Sequence, residues 1–363
     1  MKTLFLMISI LWSCSLVASI PQNAVGTNAF QNASRLSSTD IEFLSLENLP
    51  RIRSQGATPF CAEYNTSYLM QYRICKKNKI ANCSQVPSNI EVNPIGLVPF
   101  SFKPKDGKSA TVPSDYENLD LLLEDKNASL PIPAITLGSY YPESCFPSDI
   151  WVNTFSSTDQ YVAEVNKIYD IYNDYKKQIN TTQCEECGYD QVISKVQNLL
   201  RYKPSREQLK HALNGLDAKE FIKRLLFSAW DCPQKVIRPR PVPEYELFNN
   251  SPNDVSKAMA RIVNDLKTKN EPVLLSGVCL LRDKTTKTCV GSHGITITGF
   301  EYDKSSCEPN FDSNCKINFR VMNSWGQDWQ DQYKAPWLKG DGWISGTQLM
   351  KELGSVVVTL SLK

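Results

Sequence analysis

A chain of 363 residues is long enough for one large domain or two small ones, and 41% apolar with 21% charged residues is enough to bury a core, so wholesale disorder is excluded. The net charge of +2 gives no footing to nucleic acid or an anionic membrane as the main partner. Residues 1–19 read as an export signal, in which Lys2 precedes the apolar run from Leu4 to Trp12, and Val17 and Ser19 fit a cleavage site before Ile20. The run is short for a membrane span, and no later segment reaches the ~18 apolar residues that a span needs. An uncleaved anchor is the plain alternative. Lipidation of Cys14 is the minority one, because Trp12 spoils the lipobox-like Leu11-Trp12-Ser13 that precedes it.

Residues 20–47 form a polar lead-in, rich in Ser and Asn, that reads as loose chain. From Phe60 to Cys75 the pattern turns helical, with Tyr64, Tyr68, Leu69 and Tyr72 at helical spacing. Residues 84–115 read as loops, 116–126 as a short helix, and 131–147 as loop again. Residues 158–230 read as four helices: Val162 to Tyr172, Val192 to Leu200, one opened by Ser205, and Leu216 to Trp230. After the Pro-rich stretch from Pro233 to Pro243, an amphipathic helix capped near Asn253-Asp254 runs to Leu266. Strands follow at Val273-Leu274-Leu275, His293 to Phe300, Ile317 to Met322 and Val356 to Leu362. Helices first and an antiparallel sheet later argue for an α+β fold.

The cysteines agree with export. Of 12, Cys14 leaves with the signal; with Cys61 set aside as a free thiol, an even 10 remain for five bridges, the usage of a secreted protein. Cys75 with Cys83, Cys279 with Cys289, and Cys307 with Cys315 are close enough in sequence to pair locally. Cys184-Glu185-Glu186-Cys187 reads as structural disulfide cysteines: zinc wants a second ligand pair nearby, and a redox dithiol wants a thioredoxin-like parallel sheet. No cofactor or metal is expected. Sequons stand at Asn32, Asn65, Asn82, Asn127 and Asn180, and a glycan on Asn65 would obstruct folding.

Three segments carry chemistry. Gln55-Gly56-Ala57-Thr58-Pro59-Phe60-Cys61 is a turn feeding a helix, and a thiol at a helix N-terminus is favoured as thiolate. The plain alternative is a half-cystine or a small buried hydrophobe. The chain has two histidines. His211 lies in a helix and reads as solvated surface; His293, in Gly291-Ser292-His293-Gly294-Ile295, starts a strand among small neighbours that let an imidazole stand open, unless a backbone carbonyl merely satisfies it. Asn323-Ser324-Trp325-Gly326 follows a strand. Its amide can accept from one ring nitrogen of His293 and leave the other facing the thiol, with Trp325 shielding the bond; otherwise it is an ordinary strand-to-loop turn.

In this order the segments resemble the papain-like cysteine peptidases. Gln55 precedes Cys61 as that family's glutamine precedes its nucleophile, His293 to Gly299 is similar to its histidine strand, and Asn323-Ser324-Trp325-Gly326 matches its asparagine motif, with Trp329 and Gly342-Trp343 following. The resemblance covers roughly residues 48–75 and 240–363, and Glu143 to Pro147 is similar to a Glu-x-x-Tyr-Pro step. It implies a two-lobed fold over 48–363, with a helical lobe, a β-rich lobe over 240–363 carrying His293 and Asn323, a cleft between them, and 158–230 as a helical insertion. It also implies a secreted thiol protease acting on polypeptides, with Cys61 as nucleophile, His293 as base, Asn323 orienting it and Gln55 at the oxyanion. The departures are plain. Thr58, Pro59-Phe60 and Ala62 replace the family's Cys, Gly-Ser and Trp around the nucleophile, and 232 residues separate Cys61 from His293 against the ~130–150 usual there. The family's substrate-binding glycine pair has no clear match, Gly188 being the nearest. A papain-fold binding protein that no longer cuts, and a transpeptidase-type acyl transferase, are the alternatives.

Overall fold

Alternating apolar residues in the last third of the chain close into one antiparallel sheet, and a buried helix near the start of the chain joins that sheet to a block of helices. The computed structural model of the chain describes residues 24–100, 102–104, 116–118, 132–145, 147–182, 188–200, 204–215, 217–227, 235–249 and 251–363. The expected export signal, Cys14, Cys184 and Cys187 lie outside these residues.

The lead-in holds β1 (Ala24–Gly26) and β2 (Ile41–Ser45), and α1 (Cys61–Lys77) follows. Then come β3 (Phe102–Pro104), β4 (Tyr116–Asn118), α2 (Ile132–Leu137), β5 (Ser139–Tyr140) and α3 (Ser148–Val152). The helical block is α4 (Thr158–Thr182), α5 (Tyr189–Leu199), α6 (Arg206–Leu213) and α7 (Ala218–Phe227). The last third is β6 (Lys235–Val236), β7 (Pro243–Asn249), α8 (Pro252–Lys269), β8 (Val273–Asp283), β9 (Cys289–Asp303), α9 (Lys304–Cys307), β10 (Ile317–Met322), α10 (Gln327–Gln332), β11 (Trp343–Ser345), α11 (Gly346–Lys351) and β12 (Leu353–Leu362).

The expected α+β class is what the structure shows. Eight strands form the sheet in the order β11-β10-β9-β8-β12-β7, with β1 on β8 and β2 on β9, all pairs antiparallel. The apolar stripe of α8, including Met259, Ile262 and Leu266, packs on the sheet residues Val273, Leu275 and Ile297. Truncating one such buried aliphatic chain to Ala costs about 2–5 kcal/mol.

The helical block follows its periodicity. Val165, Ile168 and Tyr172 of α4 meet Val196 of α5, Leu209 of α6 and Phe221 of α7. Ser205 and Gln208 cap α6 reciprocally, at 3.1 and 2.7 Å. Helix α1 enters every core: Phe60 at its N-cap and Tyr64 join the helical block, Leu69, Met70 and Ile74 join a cluster with Leu274 and Leu360 of the sheet, and Tyr72 joins the α8 cluster. Residues Cys61 to Cys75 are all buried, which explains why the helix shows little amphipathicity.

The structure departs from the sequence reading in several places, and residues 84–115 and 131–147, read as loop, hold β3 and then α2 and β5. The lead-in is not loose, since Ile41–Ser45 pairs with residues 299–303 of β9, and Phe43 stacks on Trp343 at 5.8 Å. Tyr116–Asn118 is a strand paired with Phe102–Pro104 instead of the start of a helix, as suits an aromatic residue across from another strand; the rest of 116–126 lies outside the described residues. Helix α8 begins earlier than expected because Ser251 accepts from the Asp254 N–H, at 3.2 Å, and Pro252 takes the first turn. The three local cysteine pairs are bridged as expected, Cys75–Cys83, Cys279–Cys289 and Cys307–Cys315. Among the described residues no helix is long and apolar enough to cross a membrane.

Candidate active site

Strand β9 carries His293 where its ladder with β8 breaks. Ser276 pairs with Gly294 and Val278 with His293, so Gly277 bulges between them at φ +94°, and a bulge re-aims the side chains beside it. Strand β10 has its own register shift, between Arg320 and Val321, and delivers Asn323 just past its end.

The two side chains meet, with His293 Nε2 and Asn323 Oδ1 2.8 Å apart. Asn323 Oδ1 also accepts the Trp325 backbone N–H at 3.3 Å, which marks that atom as the carbonyl oxygen. Nε2 therefore carries the proton and donates it, and Nδ1 keeps its lone pair. The Trp325 indole lies on the imidazole, centroids 4.6 Å apart and planes 22° from parallel. Phe30 and Trp329 meet that indole edge-on at 5.7 and 6.3 Å. Burial drives the His293 pKa down from 6.5 to about 4, against the opposing pull of the Asn323 bond. The imidazole is thus neutral at pH 7.

Cys61 opens α1, with no side-chain cap from Phe60. Its sulfur lies against β9: a Cβ placed on Gly294 would stand 3.7 Å from Sγ. The free thiol expected here is not what the structure holds. Cys61 is disulfide-bonded, as is Cys145, and among the described residues no cysteine is free. Parity favoured a free thiol, since 11 cysteines remain once Cys14 leaves with the signal, but an odd count does not say which cysteine is left over. Cys61 and His293 are closed to solvent, 0% and 1% exposed.

Gln55 is stapled to the residue after Asn323. Its backbone N–H donates to Ser324 O at 2.7 Å, its Oε1 accepts from Ser324 Oγ at 2.5 Å, and its Nε2 donates to Thr58 O at 2.8 Å. One amide N–H of Gln55 is engaged by that turn. Gly188 is the N-cap of α5 and packs on Gln178 of α4, and His211 sits on α6.

The approach to Gln55 is pinned by a buried ion network that the sequence did not reveal. Arg53 pairs with Glu143 at 2.7 Å and with Glu91 at 2.5 Å, and Glu143 accepts from the Ser148 N–H and hydroxyl at 2.6 and 2.9 Å. Burial raises the Glu143 pKa even though Arg53 and Ser148 pull against it; at Glu91 the Arg51 bond and the Arg53 charge overcome burial and hold the carboxyl low. A cavity of about 30 Å³ beside this network is lined by Arg53, Asn65, Tyr68, Asn323 and Ser324, where Asn323 Nδ2 and the Tyr68 hydroxyl lack a protein partner. The volume suits one water. Sequence reading also missed Phe30, which shields from a segment read as loose, and Asn65, read only as a sequon. Among the described residues no cluster of His, Cys, Asp and Glu could hold a metal ion.

No family model matches the chain, and no curated protein matches it. Among solved structures it is similar to a crystal structure of UfSP from C. elegans, at 13% identity and a TM-score of 0.22, over 48% of this chain and 28% of that one. The chain thus spans less than a third of that structure's length, and so slight a likeness carries no argument about fold or activity.

Proposed function

We propose that this chain is a secreted thiol peptidase of papain-like architecture, held latent while Cys61 is disulfide-bonded. The observation that carries the reading is the His293–Asn323 hydrogen bond of 2.8 Å under Trp325, beside a cysteine at the start of a buried helix. In this reading residues 48–363 are one peptidase unit, with 158–230 inserted into the side that carries Cys61 and 240–363 forming the side that carries His293 and Asn323. Three disulfide bridges fit an extracellular setting.

An external thiolate attacks the sulfur bonded to Cys61, a new S–S bond forms there as the old one breaks, and Cys61 leaves with the bond's electron pair as a thiolate in equilibrium with its thiol. His293 Nδ1 takes the proton from the released thiol, and the helix N-terminus favours the thiolate. The thiolate attacks a peptide carbonyl, and the other N–H of the Gln55 amide donates to the oxyanion, a contribution of about 3 kcal/mol in comparable sites. His293 returns the proton to the leaving amine, then assists water in cleaving the thioester.

The second reading, a binding protein of the same fold, is favoured by one observation: Cys61 is bonded and, like His293, closed to solvent. Hydrolysis of a fluorogenic peptide library before and after mild reduction separates the two. Turnover that appears on reduction and vanishes in Cys61→Ala supports the peptidase. Full reduction of Cys61 without turnover supports the binding protein.

A further inference from the structure

We propose that Asn65 is the positioning residue that holds Cys61 and His293 in register, an inference that rests on the thiol–imidazole reading above. The two reacting groups sit on different elements, Cys61 on α1 and His293 on β9, and the side chain of Asn65 ties these elements together beside both. It lies one turn beyond Cys61 on the same helix face and is 3% exposed.

Its amide is fully used. Nδ2 donates to Cys61 O at 2.7 Å and to Gly294 O at 2.8 Å, and Oδ1 accepts from the Thr296 hydroxyl at 2.8 Å. One bond reaches the nucleophile's own carbonyl. The other two reach the residues one and three beyond His293. An amide with two donors and one acceptor meets two carbonyls and a hydroxyl, so each polar atom has a partner. Aspartate would lose both donors, serine would not span the gap, and glutamine would overreach by a methylene.

Asn is a poor helix-interior residue, because its side chain competes for backbone groups. Here one bond stays in the helix, on Cys61 O, and the other two cross to β9. The same bonds bury the nitrogen that glycosylation of the Asn65-Thr66-Ser67 sequon would need. With the clamp gone, the first turn of α1 can slide along β9, and a displacement of about 1 Å between reacting groups costs on the order of a hundredfold in rate.

The test uses the full chain after mild reduction. The rate of Cys61 alkylation is measured at pH 5.5, where an ordinary thiol of pKa about 8.5 is almost wholly protonated, and at pH 9, where geometry matters little. Asn65→Ala should lower the pH 5.5 rate about tenfold or more, leave the pH 9 rate within about twofold, and lower kcat with KM nearly unchanged. If Asn65→Ala fails to fold by circular dichroism, Thr296→Val carries the test, since it removes only the bond to Oδ1, and a loss of about threefold or more at pH 5.5 is expected. A reactive wild type whose pH 5.5 rate is retained by Asn65→Ala, or by Thr296→Val where Asn65→Ala does not fold, overturns the positioning role and leaves the peptidase reading standing. A wild type that is unreactive at pH 5.5 after reduction overturns the peptidase reading, and the positioning role falls with it.

Discussion

Acidification should destabilise the oxidised protein through His293 before the carboxylates that ion pairs hold below 4.5 begin to titrate. The His293 pKa falls from 6.5 to about 4 on burial, so between those values the unfolded chain binds a proton that the folded one refuses. The stability this contributes is present above pH 6.5 and is lost as pH falls toward 4. A shift of that size corresponds to roughly 3 kcal/mol. His211, also lowered by burial and by Arg224, acts in the same direction; Glu143, raised by burial, acts in the opposite one. Glu42, Glu91 and Glu244 are held below 4.5 and enter only at lower pH. The assay is the urea midpoint from pH 7 to pH 4.5 for wild type and His293→Gln, and the difference between them isolates His293. Wild type should lose about 2 kcal/mol more than the variant over that range. Parallel curves would refute the reasoning, since they would mean that His293 is protonated as easily in the fold as in water. In the reduced protein the gap should narrow, because a thiolate beside the imidazole raises its pKa.

Other consequences follow from the same contacts. Arg53→Met leaves Glu91 and Glu143 buried without their common cation, and chemical denaturation should show a loss of about 3–5 kcal/mol. Trp325→Ala opens the His293–Asn323 bond to water, so the imidazole pKa followed by NMR should rise from about 4 toward 6.5. Replacing both Cys279 and Cys289 by Ala frees a hairpin bridged across 10 residues and should cost about 2–3 kcal/mol, read as a lower melting temperature.

The segments of the candidate site stand out in the sequence because each is a short local pattern: Gln55 and Cys61 lie six residues apart, His293 lies in a strand and Asn323 just past one, and the alternation of both strands is visible. The helices of 158–230 were legible for a similar reason, since Val165, Ile168 and Tyr172 repeat at helical spacing. Strands β1 and β2 were not legible, because they are three and five residues long and their partners lie more than two hundred residues away. Pairing at that distance leaves no periodic trace in so short a segment. Asn65 was missed because a polar residue inside a helix looks the same whether it meets water or Gly294. Arg53 likewise gives no local sign of Glu143, 90 residues on. The bond state of Cys61 depends on which sulfur lies near it in space, which neither spacing nor count reveals.

Whether Cys61 and His293 form an activated pair is read by site-resolved alkylation of Cys61 at pH 5.5, before and after mild reduction, in wild type and His293→Ala. No labelling is expected before reduction, then rapid labelling of Cys61 ahead of the other cysteines after it, and loss of that rapid phase in His293→Ala. Slow labelling of Cys61 after reduction, no faster than the other thiols and unchanged in the variant, would contradict that pairing.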